Sequence, residues 1–209
     1  MQYEIIVVGS FEVNCIVLWH DQKAWVVDPG ADASVILDFL EKRNLKIARV
    51  LLTHGHIDHI SALDKLLSRH SAPVFIHAND VKWAFSAFNR VPPYLHVPGK
   101  PANLHTSILG DGIISEHGLT ARIIHTPGHT PGGCCLLFEQ EKLLISGDTL
   151  FAGSVGRTDL PGGDWPELFA SLQKLCQLPD DLTVIPGHGP TTSLGAEKKY
   201  NLYLNGEQP

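Results

Sequence analysis

Four potential metal donors fall within six residues, in the run Thr53-His54-Gly55-His56-Ile57-Asp58-His59, directly after the apolar stretch Ala48 to Thr53. Three further donors stand in the same kind of setting. His129 follows a strand-like run ending at His125, inside Thr126-Pro127-Gly128-His129-Thr130-Pro131-Gly132-Gly133. Asp148 follows Leu143 to Ile145, inside Ser146-Gly147-Asp148-Thr149, and His188 follows Leu182 to Ile185, inside Pro186-Gly187-His188-Gly189-Pro190. Each donor terminates an apolar run on a Gly or Pro turn. Gathering such donors at one edge of a sheet, from the loops that follow several strands, is a common way to build an active centre.

Imidazole and carboxylate are ligands that zinc, iron and manganese all accept. His54 and His56, two apart on an extended segment, can aim at one ion. Asp58 and His59 stand where the chain turns into a helix and can face a second ion, with Gly55 easing the tight backbone path. Packing alone calls for none of these residues at this spacing. His20, His70, His77 and His117 lack such a setting and read as surface or packing residues. His125, close to a ligand loop, reads as a strand residue or a support for one.

The remaining pattern is mixed α/β. Tyr3 to Val8, Cys15 to Trp19 and Ala24 to Val27 read as strands, with a hairpin turn at His20 to Lys23 and a second turn at Asp28-Pro29-Gly30. Val35, Ile36, Phe39 and Leu40 recur at helical spacing, with Asp32 or Ser34 as N-cap. A helix is predicted from near Asp58 through Leu67, and a strand at Pro73 to Ile76. The proline-rich stretch from Val91 to Pro101 reads as a pocket rim or lid. Gly118 to His125, Cys134 to Phe138, Leu143 to Ser146 and Leu182 to Ile185 supply a second group of strands. Asp164 with Pro166 marks the start of a helix carrying Leu168, Phe169 and Leu172, and Glu197 to Leu204 is at best a short terminal helix. Two β-rich halves, each with helices, predict two packed sheets with helices outside. A doubly wound nucleotide-binding sheet is disfavoured, since no phosphate-binding glycine motif stands at a strand–helix junction.

Composition removes several functional classes. At 209 residues and 44% hydrophobic the chain can bury a substantial core. A net charge of −6 with no basic cluster makes nucleic acid a poor partner. No apolar run reaches the ~18 residues that span a bilayer, and the N-terminus lacks the features of a signal peptide. The four cysteines, Cys15, Cys134, Cys135 and Cys176, are too sparse for a disulfide framework and read as free thiols in a cytoplasmic protein. Adjacent Cys134 and Cys135 would point to opposite faces of a strand.

With these residues in view, the chain resembles the metallo-β-lactamase superfamily: its H-x-H-x-D-H motif matches His54 to His59, and its later His, Asp and His match His129, Asp148 and His188. The resemblance runs from the Asp28-Pro29-Gly30 turn across nearly the whole chain. It implies an α/β fold, the αββα four-layer sandwich with two β-sheets and helices on both outer faces, over residues 1–209 as one domain. It also implies that His54, His56 and His129 hold one metal, that Asp58, His59 and His188 hold the other, and that Asp148 bridges them. The cofactors are then two divalent ions, zinc in the first place, with iron or manganese as alternatives. Two cations sharing a solvent molecule make hydroxide available near neutral pH, and Asp58 as catalytic residue can accept its hydrogen bond.

Within the superfamily, Thr126 to Gly133, Ser146 to Phe151 and Gly156-Arg157-Thr158-Asp159 are similar to the glyoxalase II (hydroxyacylglutathione hydrolase) group. That resemblance implies hydrolysis of a small-molecule thioester such as S-lactoylglutathione. Two departures stand out. The chain ends too soon for the C-terminal helical domain that helps hold glutathione, and the group's Lys-x-Tyr contacts fall at Arg157 and Asp159, so the match is to short single-domain bacterial types. Arg157 is expected to bind a substrate carboxylate, the alternative being a brace with Asp159. Two rival activities are a mononuclear iron persulfide dioxygenase using His54, His129 and Asp148, and a lactonase or β-lactamase-type hydrolase.

Overall fold

The structure, a computed structural model, describes residues 1–106 and 112–206. Its first half forms a six-stranded sheet from β1 (Gln2–Val8), β2 (Val13–His20), β3 (Lys23–Val27), β4 (Lys46–Leu51), β5 (Val74–Phe75) and β6 (Leu104–His105), in that spatial order. The pairs β1–β2 and β2–β3 are antiparallel, while β3–β4, β4–β5 and β5–β6 are parallel. The His20↔Lys23 pairing closes the predicted hairpin.

The second sheet is built from β7 (Gly112–Glu116), β8 (Leu119–His125), β9 (Cys134–Phe138), β10 (Leu143–Gly147), β13 (Thr183–Pro186) and β14 (Thr192–Ser193), in the order β14-β13-β10-β9-β8-β7. Between β10 and β13 lie a small hairpin, β11 (Leu150–Phe151) with β12 (Ser154–Val155), and a helix.

Strand alternation explains how the layers stack, because successive side chains take opposite faces. On β2, Ile16 and Leu18 join Trp25, Val27 and Leu51 against Ile123, Leu136, Phe138 and Ile145 of the second sheet. The intervening Cys15 and Val17 pack instead on Ile36 and Leu40 of α1 (Ala33–Lys42) and on Leu63 and Leu66 of α3 (Leu63–Arg69). The second sheet repeats the device outward. Cys135, Leu137 and Leu144 meet Leu168, Leu172 and Leu175 of α5 (Trp165–Cys176) and Leu194 of α6 (Leu194–Tyr200). The result is the expected α/β/β/α sandwich, with Cys134 in the inter-sheet core and Cys135 under the helices.

Local signals account for most element boundaries. Asp164 accepts the Glu167 N–H at 2.8 Å, with Pro in the first turn, as predicted for the start of α5. Three fully buried leucines contribute roughly 1.5–3 kcal/mol each, against about 1 kcal/mol for the cap, so packing holds α5 more than capping does. Asp32 occupies the N-cap of α1 but does not cap it: its carboxylate accepts the Gly9 N–H at 2.8 Å and ties β1 to the helix start.

The helix expected from Asp58 onward is broken into α2 (Ile57–Ile60) and α3. The cause is the Asp28-Pro29-Gly30 turn, which packs into the break. The Ala62 N–H bonds to the Pro29 carbonyl at 3.0 Å, and Gly30 lies so close to the Asp58 carbonyl that a Cβ would stand 1.7 Å from it. The sequence pattern missed α4 (Ala78–Ala84), β7 and the β11–β12 hairpin. Among the described residues, no helix is long and apolar enough to cross a membrane.

Candidate metal centre

All seven predicted ligands meet at one edge of the sandwich. His54 follows β4, Asp58 and His59 lie on α2, and His56 is the residue before α2. His129 follows β8, Asp148 follows β10 and His188 follows β13. Two trios form, His54/His56/His129 and Asp58/His59/His188, and within each the donor atoms lie within 4.8 Å of one another.

In the first trio, His56 Nδ1 lies 3.0 Å from His54 Nε2 and 2.9 Å from His129 Nε2. In the second, His59 Nε2 and His188 Nε2 are 3.2 Å apart, with the Asp58 carboxylate 3.7 Å and 3.4 Å from them. Asp148 stands between the trios: its oxygens lie 4.0 Å and 3.5 Å from His54 and His129, and 3.5 Å from both His59 and His188.

The opposite ring nitrogens are tied to oxygen atoms, which leaves the inward ones free to serve as ligands. His129 Nδ1 donates to the Arg157 carbonyl at 2.7 Å, and His188 Nδ1 donates to the Phe11 carbonyl at 2.7 Å. His59 Nδ1 donates to Asp28 at 3.0 Å. His54 Nδ1 donates to Thr53 Oγ1 at 3.1 Å, whose own hydroxyl proton goes to Asp28 at 2.6 Å. Four imidazoles therefore turn their other nitrogens toward a common space, the arrangement in which outer partners orient metal-binding histidines. Asp148 Oδ1, buried, has no hydrogen-bond partner among the described residues. An orphaned buried carboxylate oxygen facing a ring of imidazole nitrogens fits a cation.

The electrostatics agree. Burial, together with the neighbouring His59, holds His54 well below the usual imidazole range, and burial with His129 lowers His56 to about 3, so these two rings stay neutral. Burial would raise Asp148, but His59, the His188 hydrogen bond, His54 and His129 outweigh it and hold the carboxyl well below its usual range. Burial would lower His59 and His188 too, yet both are raised, His59 chiefly by Asp148 and Asp58 and His188 by hydrogen bonds to the same two carboxylates. Without cations, protons take their place in the second trio.

Two supporting carboxylates escaped the sequence reading. Asp28 organises Thr53 and His59; its turn was visible but its role was not. Asp80 on α4 accepts the Gly55 N–H at 2.9 Å, the Thr130 hydroxyl at 2.8 Å and the Gly132 N–H at 2.7 Å. It thereby joins the loop of His54 and His56 to the loop of His129. Burial pushes its carboxyl up, against the three donors that pull it down. Gly55 is needed for this approach: a Cβ there would stand 2.9 Å from the Ala84 Cβ and 3.2 Å from the Asp80 Cβ. No spacing rule marks an isolated aspartate in a seven-residue helix as such a support.

His56, Asp58, His129, Asp148 and His188 open onto a cavity of about 1130 Å³. Its other walls are mainly apolar, including Phe11, Ile57, Trp83, Phe88, Phe151, Val155 and Leu160. Arg157 lines it as expected, with its guanidinium forked onto Asp159 at 2.6 Å and 2.7 Å. That is the geometry of a loop brace. Val91, from the proline-rich stretch, belongs to the rim. His77 and His125 stack on each other at 4.1 Å beside the site, and His125 Nε2 donates to the Pro131 carbonyl at 3.0 Å.

Comparison with known proteins agrees with this geometry. The pattern of the metallo-beta-lactamase superfamily matches residues 8–188. The hydroxyacylglutathione hydrolase GloC of Haemophilus influenzae is 35% identical over 98% of this chain and 99% of its own. Among solved structures, BLEG-1 B3 metallo-β-lactamase superposes with a TM-score of 0.89 at 36% identity, over 98% of this chain and 100% of that one. TTHA1623, crystallised in a di-iron-bound form, gives a TM-score of 0.80 at 33% identity, over 96% of this chain and 100% of that one. With that match across most of its length and both ligand trios in place, the chain belongs to the metallo-β-lactamase superfamily.

Proposed function

We propose that this chain is a thioester hydrolase acting on an acylated glutathione such as S-lactoylglutathione, with two divalent ions, zinc foremost, as cofactors. The observation that carries the reading is the complete pair of trios around Asp148, opening onto a large cavity with apolar walls. When bound, such ions supply Lewis acidity and a hydroxide nucleophile near neutral pH, so no serine or cysteine nucleophile is needed. His54, His56 and His129 would hold one ion, Asp58, His59 and His188 the other, with Asp148 reaching both.

The chain's own groups do the rest. Burial would raise the Asp58 carboxyl, but His59 and the His188 hydrogen bond outweigh it and keep it ionised. It can therefore accept the hydrogen bond of the attacking water and align it with the acyl carbon. The apolar walls hold the organic part of the substrate and exclude bulk water. The GloC relative, named a hydroxyacylglutathione hydrolase, supports the thioester as substrate. The partner is a small molecule and not nucleic acid. The four free cysteines, three of them buried, suit a cytoplasmic location.

A second reading, hydrolysis of a β-lactam or lactone, draws on the likeness to BLEG-1. One experiment separates the alternatives: elemental analysis of the purified protein, with turnover measured on S-lactoylglutathione, on a chromogenic cephalosporin, and as oxygen uptake with glutathione persulfide. About two metals per chain with thioester turnover alone is expected. One iron with oxygen uptake would replace the reading by a persulfide dioxygenase, and cephalosporin turnover exceeding thioester turnover by a β-lactamase.

A further inference from the structure

Beyond the metal centre, the cavity mouth carries a feature the metal chemistry leaves unused. After α4 the chain makes a short turn, Ala87–Asn89, held from inside by Asn89. The buried Asn89 side chain donates to the Gly55 carbonyl at 2.8 Å and the Ala84 carbonyl at 2.7 Å. This anchors the turn to the very loop that carries His54 and His56. Phe88 and Arg90, on either side of Asn89, both line the cavity and both stay exposed, Phe88 at 97%. The next residue, Val91, is closed into a tight turn by its N–H bond to the Tyr94 carbonyl at 3.1 Å. An aromatic ring and a guanidinium are thus presented from a fixed segment.

Among the described residues, two arginines line the cavity beside the histidines of the metal centre, Arg90 and Arg157. Arg157 already spends its fork on Asp159. Arg90 has no carboxylate or hydrogen-bond partner for its guanidinium among the described residues, although the chain carries 22 acidic residues against 16 basic ones. An unneutralised guanidinium at the mouth of a cavity matches a carboxylate arriving with the ligand, which it can grip with two parallel hydrogen bonds.

We infer that Arg90 is a specificity-determining residue that receives a carboxylate on the thiol half of the substrate, with the Phe88 ring covering the adjoining chain. The identity of the ligand rests on the thioester reading; the presence of an anion receptor at Arg90 does not. The substrate class is therefore acyl thioesters of acidic thiols, discriminated from neutral ones outside the metal centre.

The test is isothermal titration of the protein, as purified with its metal, with S-methylglutathione, a thioether that cannot be hydrolysed, and with its dimethyl ester. Wild type should bind the acid more tightly than the ester. Arg90→Gln should weaken the acid roughly tenfold or more and change the ester less than twofold, and Arg90→Lys should restore part of the difference. Equal weakening of acid and ester, acid affinity within twofold of wild type, or no preference for the acid in wild type would each overturn the assignment. Discrimination lost in Arg157→Gln but kept in Arg90→Gln would move it to Arg157. Since binding is read without turnover, Arg90-dependent binding with no S-lactoylglutathione hydrolysis would overturn the hydrolase reading alone. Hydrolysis with Arg90-independent binding would overturn the receptor alone.

Discussion

The Asp80 carboxylate accepts the Gly55 backbone N–H at 2.9 Å, between two histidines that it never touches, and holds the third histidine of the same trio through Thr130 and Gly132. Asp80→Ala would strand two buried N–H groups and a hydroxyl. At ~1–3 kcal/mol for each unsatisfied buried group, a net stability loss of about 3 kcal/mol is expected after partial relaxation. Metal affinity at His54/His56/His129 should fall about 10–100-fold, the usual effect of removing a group that orients ligands. Asp80→Asn retains one acceptor oxygen and should lose less of both. Urea unfolding and metal titration of the two variants check this; an Asp80→Ala protein with wild-type metal affinity would remove Asp80 from the site's support.

Asp148→Ala should lose most bound metal and nearly all activity. Its carboxylate lies 3.5 Å from a histidine of each trio, so it would stand beside both cations and offset their mutual repulsion. Elemental analysis after desalting reads the outcome. Two retained metals with normal turnover would show that Asp148 bridges nothing.

Most of this site was legible in sequence because its ligands end strands. Apolar runs fixed where β4, β8, β10 and β13 stop, and Gly/Pro turns marked His54, His129, Asp148 and His188. The supports were not legible for a physical reason. Asp28 and Asp80 act across 25 residues or more of chain, on Thr53 and Gly55 and on Thr130 and Gly132, and no local period records such contacts. The break between α2 and α3 was hidden in the same way, because its cause is the remote Pro29 carbonyl. Helix α4 was missed because it is a seven-residue segment that buries only Asp80 and Ala84, too little for an apolar stripe. Strand β7 keeps only Ile114 buried and leaves Ile113 69% exposed, so its alternation carries one clear mark.

His188→Ala should weaken one metal far more than the other. His188 Nε2 lies 3.2 Å from His59 Nε2 and belongs to the second trio, while the first trio keeps all three of its nitrogens. Metal content near two in wild type and near one in the variant is expected from elemental analysis. Equal loss of both would show that the two positions fill as a unit.

In chelator-treated protein the raised histidines give a definite pH dependence. His59 and His188 are raised from an ordinary value of 6.5 to about 9 and about 10, held up by Asp148 and Asp58. A group raised in the folded state contributes stability that is fully present below its unfolded value and lost as pH climbs through its folded one. Metal-free protein should therefore lose stability between about pH 6.5 and 10, while metal-loaded protein, whose ions replace those protons, should not. Loading metal at neutral pH should accordingly release protons. Thermal unfolding of both forms across that window, with a pH-indicator titration, measures it. Parallel profiles with no proton release would contradict the protonated second trio.

The ion pair of Arg157 and Asp159 separates a brace from a substrate contact. Both side chains are mostly exposed, 62% and 67%, so the pair itself adds little to global stability. Its leverage is local, because the Arg157 carbonyl receives the His129 Nδ1 proton at 2.7 Å. If the fork holds that stretch of chain, Arg157→Ala and Asp159→Ala should do the same thing. Both should let the carbonyl drift from His129, lower kcat and loosen metal at the first trio. If Arg157 instead swings to a substrate carboxylate, only Arg157→Ala should matter. It should then raise KM with kcat nearly unchanged, as loss of a contact made equally in ground and transition states does. We expect the brace: matched kcat losses in the two variants, equal on S-lactoylglutathione and on a short thioester without carboxylates. A KM increase confined to Arg157→Ala and to the glutathione substrate would assign the residue to binding.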